Sequence, residues 1–257
     1  MYIECSWFSA DKIHESGQCF RWEKESDDTY IIPAYGSRLY LQKEQGNMLR
    51  LSCSEQEYRD IWEDYFDMEF DYKAHAETAC SLIGSDYLTE SVKASEGIRI
   101  LRQDLWETVV SFIVSANNNI PRIRKTLFNL CAGKGSFPSP EEFLDMGIEN
   151  IRKYGTGFRD KYIINAAEFF HERNVKSEMK GMDYEQARDY LMQIKGVGVK
   201  VADCICLFAL GFKDAFPRDV HIKRIEAEHF AGRFPEELSC GCAGVLQQYM
   251  FYYNRMA

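Results

Sequence analysis

The reading of this chain turns on the stretch from Gln193 to Arg224, QIKGVGVKVADCICLFALGFKDAFPRDVHIKR. Gly196-Val197-Gly198 lies between two segments of helical apolar spacing and reads as a tight hairpin. Lys200 stands just past the hairpin. Asp219 follows Phe216-Pro217-Arg218 and opens a further helix. We read the stretch as a DNA-binding hairpin, set between helices near 184–210, carrying an amine nucleophile with a carboxylate returned to face it.

Each part of that reading has a plainer competitor. Glycines at 196 and 198 allow backbone conformations closed to other residues and a close approach to a surface. The amides at the start of the following helix carry partial positive charge, which suits a phosphate. On Gly-x-Gly alone, however, an ordinary helix–helix turn is the better reading. Lys200 falls in the first turn of a helix near Val199, where the helix dipole opposes a cation and stability alone would select an acid. An amine acting as a nucleophile can use that field; a solvated surface lysine is the common alternative. Asp219 fits a helix N-cap, and that role alone would account for it. A carboxylate near Lys200 would also stabilise positive charge developing on a sugar. His221-Ile222-Lys223-Arg224 adds local positive charge suited to phosphate contacts, or forms a solvated helix face.

Working outward, residues up to Cys53 read mainly as strands. Tyr30–Ala34, Arg38–Gln42 and Met48–Cys53 alternate apolar and polar residues, with turns at 26–28, 35–37 and 45–47. Pro33 cannot donate to a ladder, so its strand belongs at an edge or a bulge. From Ser54 the period becomes helical. Helices are predicted at 72–83, 87–95, 105–116, 122–131, 140–146, 148–154, 159–173, 184–194, 199–210, 220–230 and 235–253. Asp104 with Glu107 resembles a capping box. The fold class is therefore α+β: a small N-terminal antiparallel sheet domain over 1–70, then a larger all-α body over 71–257.

Composition bounds the function. The chain has 257 residues and a net charge of −9, which argues against nucleic-acid binding unless positive charge is concentrated locally. No apolar run approaches the roughly 18 residues of a membrane span, and the N-terminus lacks a secretory signal pattern. Nine cysteines without a regular framework point to free thiols in a reducing, intracellular compartment. An intracellular monomer is expected, cytoplasmic or nucleoid-associated if the source is prokaryotic. Cys204-Ile205-Cys206 and Cys240-Gly241-Cys242 are poor zinc spacings, so no metal is predicted.

The hairpin, Lys200, Lys200–Leu207 and Asp219-Val220-His221 together resemble the helix-hairpin-helix DNA glycosylases, the 8-oxoguanine DNA glycosylase family most closely. Ser16–Trp22 is similar to that family's N-terminal signature, Asn117–Ile123 to its Asn-rich turn, and Gly157-Phe158-Arg159, Gln247 and Phe251 fall in family-like places and order. The resemblance spans nearly the whole chain. It implies that Lys200 attacks C1′ of a damaged nucleotide to form a Schiff base, followed by β-elimination, while Asp219 supports the developing charge. It implies that the Gly17 carbonyl meets the N7 hydrogen of 8-oxoguanine, Phe251 and Cys204 sandwich the flipped base, and Gln247 reads its Watson–Crick edge. It implies that Asn117, Arg122 and Arg159 fill the vacated space and meet the orphaned cytosine, with Phe158, Gly196, Gly198 and His221 also on DNA. Read alone, Asn117–Asn119 is a helix cap and turn, Phe251 core, Gln247 surface and Gly17 a turn.

The chain departs from the pattern at Phe158, where the eukaryotic-like form has Tyr, and at Lys195, which replaces a common Pro. It also lacks a long extension before its first strand. Only Cys240 and Cys242 follow the aspartate where endonuclease III relatives carry four cysteines, so no iron–sulfur cluster is predicted. A monovalent cation at the hairpin is left open. Two other readings stand: a glycosylase for another damaged base, and a non-catalytic helix-hairpin-helix DNA-binding module. Lys200 with Asp219 speaks against the module, which needs neither. The expected partner is damaged double-stranded DNA, with no membrane.

Overall fold

The computed structural model describes residues 1–131 and 136–256. Among them, five strands form one antiparallel sheet in the order β1-β5-β4-β3-β2. The strands are β1 (Tyr2–Glu4), β2 (Glu23–Lys24), β3 (Thr29–Ala34), β4 (Ser37–Lys43) and β5 (Met48–Leu51). Period-two alternation buries Tyr30, Ile32, Leu39, Leu41, Leu49 and Leu51 against Trp22, Trp62, Tyr65 and Phe66. Pro33 pairs with Arg38 of β4 and lies beyond the two residues of β3 that β2 covers. Its missing N–H thus costs the ladder nothing, as expected of an edge position.

The sheet is interrupted, between β1 and β2, by a helix that the sequence reading missed. Ser9 accepts from Lys12 N and caps α1 (Ala10–Glu15), which buries Ala10 and Ile13. Six residues are too few for a helical period to stand out from strand patterning. After the sheet the chain is helical. Ser54 caps α2 (Glu55–Glu57), which runs through a π turn at Tyr58–Trp62 into α3 (Glu63–Tyr65). Then come α4 (Tyr72–Ile83), α5 (Asp86–Ala94), α6 (Leu105–Ser115), α7 (Ile120–Cys131), α8 (Pro140–Ile151), α9 (Asp160–Glu172), the unpredicted α10 (Val175–Glu178), α11 (Tyr184–Leu191), α12 (Val199–Phe208), α13 (Val220–His229) and α14 (Ala243–Met256).

Three local readings need correction or refinement. The predicted helix over 235–253 is two pieces: a short 3₁₀ turn at Glu236–Leu238, then α14. Cys240 and Gly241 both take positive φ and break it. Asp104 caps α6 by accepting from Glu107 N, but the Glu107 carboxylate bonds Arg21 instead of closing the box. Gly147, at φ 70° and ψ 161°, separates the halves of α8, near the break expected between 146 and 148.

The helices share one large apolar core, and α14 is its central strut. Gly244 N donates to Lys213 O at 2.7 Å, and a Cβ on Gly244 would lie 2.2 Å from Ala215 O. The start of α14 is therefore pressed against the segment leading to Asp219. At its far side, Ser95 Oγ donates to Tyr249 O at 3.1 Å and Tyr249 OH to Ile98 O at 3.0 Å. This packing brings Gln247 and Phe251 beside Lys200 and Cys204 of α12.

Candidate active site

The hairpin joins α11 to α12. Asp183 and Gln186 close a capping box at the start of α11, and Val197 N donates to Ile194 O to make the turn. The two glycines differ. Gly196 has φ +94° and no room for a side chain. Gly198 has φ −91° and ψ 178°, which any residue can adopt, so the expectation of a special backbone conformation fails there. A Cβ on Gly198 would meet nothing within 4 Å. Gly198 is the N-cap of α12 and offers no side chain to its amides. They stay open to an external anion, which favours the phosphate reading over a closed turn.

Lys200 stands in the first turn of α12, half-buried, with Nζ 5.5 Å from the centre of the Phe112 ring. Phe112 in turn stacks on Phe208, centroids 5.4 Å apart at 10°. Cys204, one turn on from Lys200, is buried, and burial pushes its thiol up to about 11. It is therefore an uncharged wall and not a competing nucleophile. Asp219 caps α13, one carboxylate oxygen accepting from Ile222 N at 2.8 Å. The cap holds the side chain in place and leaves its second oxygen for other work.

One narrow cleft gathers Gly17, Phe112, Lys200, Cys204, Phe208, Pro217, Asp219, Gln247, Gln248 and Phe251. It brings together both proposed catalytic residues and all four proposed base-contacting residues. Gln247 is buried, and its side-chain oxygen has no hydrogen-bond partner. A buried acceptor without a partner is costly for stability alone. Sequence reasoning missed Phe112, Phe208, Pro217 and Gln248, since apolar spacing cannot separate a cleft wall from core.

The remaining residues form a chain of contacts around this cleft. Asn118 and Asn119 do the structural work of the Asn-rich turn. Asn118 Nδ2 donates to Val114 O, closing α6, and Asn119 Oδ1 accepts from Arg122 N, opening α7. Asn117 sits between at φ +51°, its side chain exposed. Arg122 is exposed too, and His221 lies edge-on to Phe251, centroids 5.9 Å apart. Phe158 is 61% exposed on the 3₁₀ turn Gly157–Arg159. Arg159 is only 4% exposed. Its guanidinium donates to Ala116 O at 2.9 and 2.5 Å, to Asn117 O at 2.9 Å and to Thr156 O at 3.3 Å. It holds the Asn-rich turn from beneath and is not free to reach outward in this conformation.

All nine cysteines are free thiols. Among the described residues, no group of three or more His, Cys, Asp and Glu side chains is gathered as a metal ion would need. Cys240 is exposed, while Cys242 is buried with Sγ donating to Ser239 O at 2.8 Å. No helix of the described residues is long and apolar enough to cross a membrane.

Known proteins resemble this chain along most of its length. A family model for the N-terminal domain of 8-oxoguanine DNA glycosylase matches residues 3–109. A second, for the HhH-GPD superfamily of base excision DNA repair proteins, matches residues 110–234. The N-glycosylase/DNA lyase of Saccharomyces cerevisiae is 41% identical over 154 residues, which span 51% of this chain and 41% of the yeast protein's own length. The solved structure of MBOgg1 in complex with a low affinity DNA ligand superposes with a TM-score of 0.90 at 40% identity, covering 99% of this chain and 95% of that one. The Clostridium acetobutylicum 8-oxoguanine glycosylase/lyase, solved with double-stranded DNA containing cytosine opposite 8-oxoguanine, gives 0.86 at 30% identity, covering 100% and 98%. The class these matches define is the helix-hairpin-helix base excision repair proteins. The chain belongs to the 8-oxoguanine DNA glycosylase family.

Proposed function

We propose that this chain is a bifunctional DNA glycosylase and abasic-site lyase that excises 8-oxoguanine from duplex DNA. The observation that carries the reading is the convergence of Gly17, Lys200, Asp219, Gln247 and Phe251, from distant parts of the chain, on one cleft. The target nucleotide must leave the stack to be reached. The free helix amides after Gly198 grip the phosphates and Phe158 wedges the gap. Phe251 must give way so that the base can lie between its ring and Cys204.

Recognition falls to two acceptors. The Gly17 carbonyl accepts the N7 hydrogen that 8-oxoguanine has and guanine lacks. The Gln247 amide, whose oxygen is buried and unpaired, pairs with the Watson–Crick edge. Guanine in the same place would leave a buried polar group unmatched, which is how one hydrogen bond discriminates.

The neutral Lys200 amine attacks C1′ as the C1′–N9 bond breaks, and the base departs with the bonding pair and takes up a proton. Asp219 stabilises the positive charge that builds on the sugar. Ring opening yields the Schiff base. Loss of a C2′ proton then expels the 3′ phosphate, and water frees the lysine.

Asn117 and Arg122 meet the orphaned cytosine, with Arg159 supporting them through the Asn117 carbonyl. His221 lies toward the phosphates. The protein acts as a monomer on damaged duplex DNA inside the cell, in the cytoplasm or on the nucleoid if the cell is prokaryotic. It has a sheet domain to about residue 70 and a glycosylase body after it. A monovalent cation at the hairpin carbonyls would strengthen the phosphate grip, and no iron–sulfur cluster is needed.

Borohydride trapping on an 8-oxoguanine duplex tests the mechanism. The wild type should form a covalent complex and Lys200→Gln should not. A wild type that fails to trap, or a variant that traps undiminished, overturns it.

A further inference from the structure

The loop that carries Gly17 is held by side chains on both sides of the glycine. Arg124 of α7 donates from Nη2 to His14 O at 2.6 Å. Arg255 of α14 donates from Nη1 to Glu15 O at 2.7 Å. Gln248, also of α14, donates from Nε2 to Ser16 O at 2.6 Å. On the other side, Gln103 Nε2 donates to Gln18 O at 2.9 Å. The Gln18 side chain is itself fixed by Arg99 O and Leu101 N at 2.9 and 2.8 Å. Between these anchored groups, no donor among the described residues is bonded to the Gly17 carbonyl.

His14 and Glu15 end α1, so the two arginines also cap its free carbonyls, while Gln248 holds the first carbonyl beyond the helix. Arg124 and Arg255 are like charges drawn to neighbouring carbonyls. Arg255 is exposed overall, but partial burial of its charged end first, then the charge of Arg124, lowers its pKa. Arg124 Nε and His14 Nε2 are both buried without a partner. A glycine at φ +80° in an unsupported loop would turn its peptides readily. A peptide anchored at both ends cannot.

We propose that Arg124, Gln248 and Arg255 are positioning residues that clamp the Gly17 peptide and thereby set the selectivity for a purine bearing hydrogen on N7. The inference rests on the reading of Gly17 given under Proposed function. One hydrogen bond discriminates only if its acceptor cannot swing away to relieve the mismatch. The clamp reaches no reacting atom; it acts through the carbonyl that it leaves free.

The test compares kcat/KM on duplexes holding 8-oxoguanine with duplexes holding the same base in which N7–H is replaced by C–H. The wild type should favour 8-oxoguanine. Arg124→Met and Arg255→Met should each lower that preference by about fivefold or more, through the 8-oxoguanine value, with the analogue within about twofold. Arg124→Lys and Arg255→Lys should recover most of it. Cleavage at a preformed abasic site, which has no base to read, should stay within about twofold of wild type in all four. Arg255 is exposed, so Arg255→Met keeps the test open if Arg124→Met does not fold. An unchanged preference in the folded Met variants overturns the clamp. So does an equal fall on both bases, which would mark a merely structural role. A wild type that does not distinguish the two bases overturns the Gly17 reading beneath it, and the clamp with it.

Discussion

A Cβ built on Gly196 would lie 2.5 Å from Cγ and 2.6 Å from Cβ of Tyr162. Those atoms sit near the root of the tyrosine side chain, so the ring cannot turn aside to make room. This contact locks the hairpin to α9, one turn past Phe158. With φ at +94°, Gly196→Ala should cost about 2–4 kcal/mol of stability and weaken binding to damaged duplex. Gly198→Ala should cost no more than about 1 kcal/mol, because its backbone is ordinary and its surroundings open. It should still weaken DNA binding, since the methyl would stand over the free amides. Thermal unfolding and duplex titration of the two variants would separate these effects.

Gln247 exchanges stability for recognition. Its buried oxygen has no partner in the free protein. Gln247→Leu should therefore leave stability unchanged or raise it by up to about 1 kcal/mol. The same change should lower kcat/KM on 8-oxoguanine at least about tenfold. Denaturant melts alongside single-turnover excision would check both signs.

Phe158 projects from its turn with the Arg159 guanidinium 4.4 Å from the centre of its ring. An aromatic wedge is present, but it has no hydroxyl for the opposite base. Phe158→Tyr should leave stability within about 0.5 kcal/mol, as for most exposed positions. It should sharpen the preference for cytosine opposite the lesion. Excision opposite each of the four bases would measure this, and unchanged ratios would count against it.

Glu107 is half-buried at the first turn of α6 and bonded to Arg21 Nη1 at 2.6 Å. Burial outweighs the arginine and lifts its carboxyl from the usual 4.5 to about 7. The folded state thus holds this proton more tightly than the unfolded chain. Its stabilising contribution is complete below pH 4.5 and is lost as pH rises through about 7. Glu107→Gln should remove that loss, so the difference in melting temperature, variant minus wild type, should grow from about pH 5 to about pH 8.

Much of the candidate site could be read in the linear chain because its members sit in short, dense signals. Gly-x-Gly followed by Lys200, and Pro217 two residues before the cap Asp219, are local patterns with local causes. Helices with a full apolar period were legible for the same reason, as α6 and α12 illustrate. What stayed hidden was short or depended on partners. The six residues of α1 carry too little periodicity, and the break at Cys240-Gly241 rests on positive φ in a Cys that no pattern announces. The Asn-rich turn was visible, but its division of labour was not. Only the contacts show Asn118 and Asn119 capping two helices and Arg159 buried under them.

By itself, the sequence determined the α+β order, the hairpin, and the types of group the chemistry needs. These follow from short-range periodicity, caps and side-chain chemistry, which act within a few residues. Tertiary structure alone decided that Gly17, Lys200 and Gln247 share a cleft, that Gln247 is left unpaired, and that three side chains from two helices clamp the residues before Gly17. Such relations depend on how α14 packs against the start of α13 and the sheet's first loop. Packing of that kind is settled by the whole core and leaves no spacing rule in the chain.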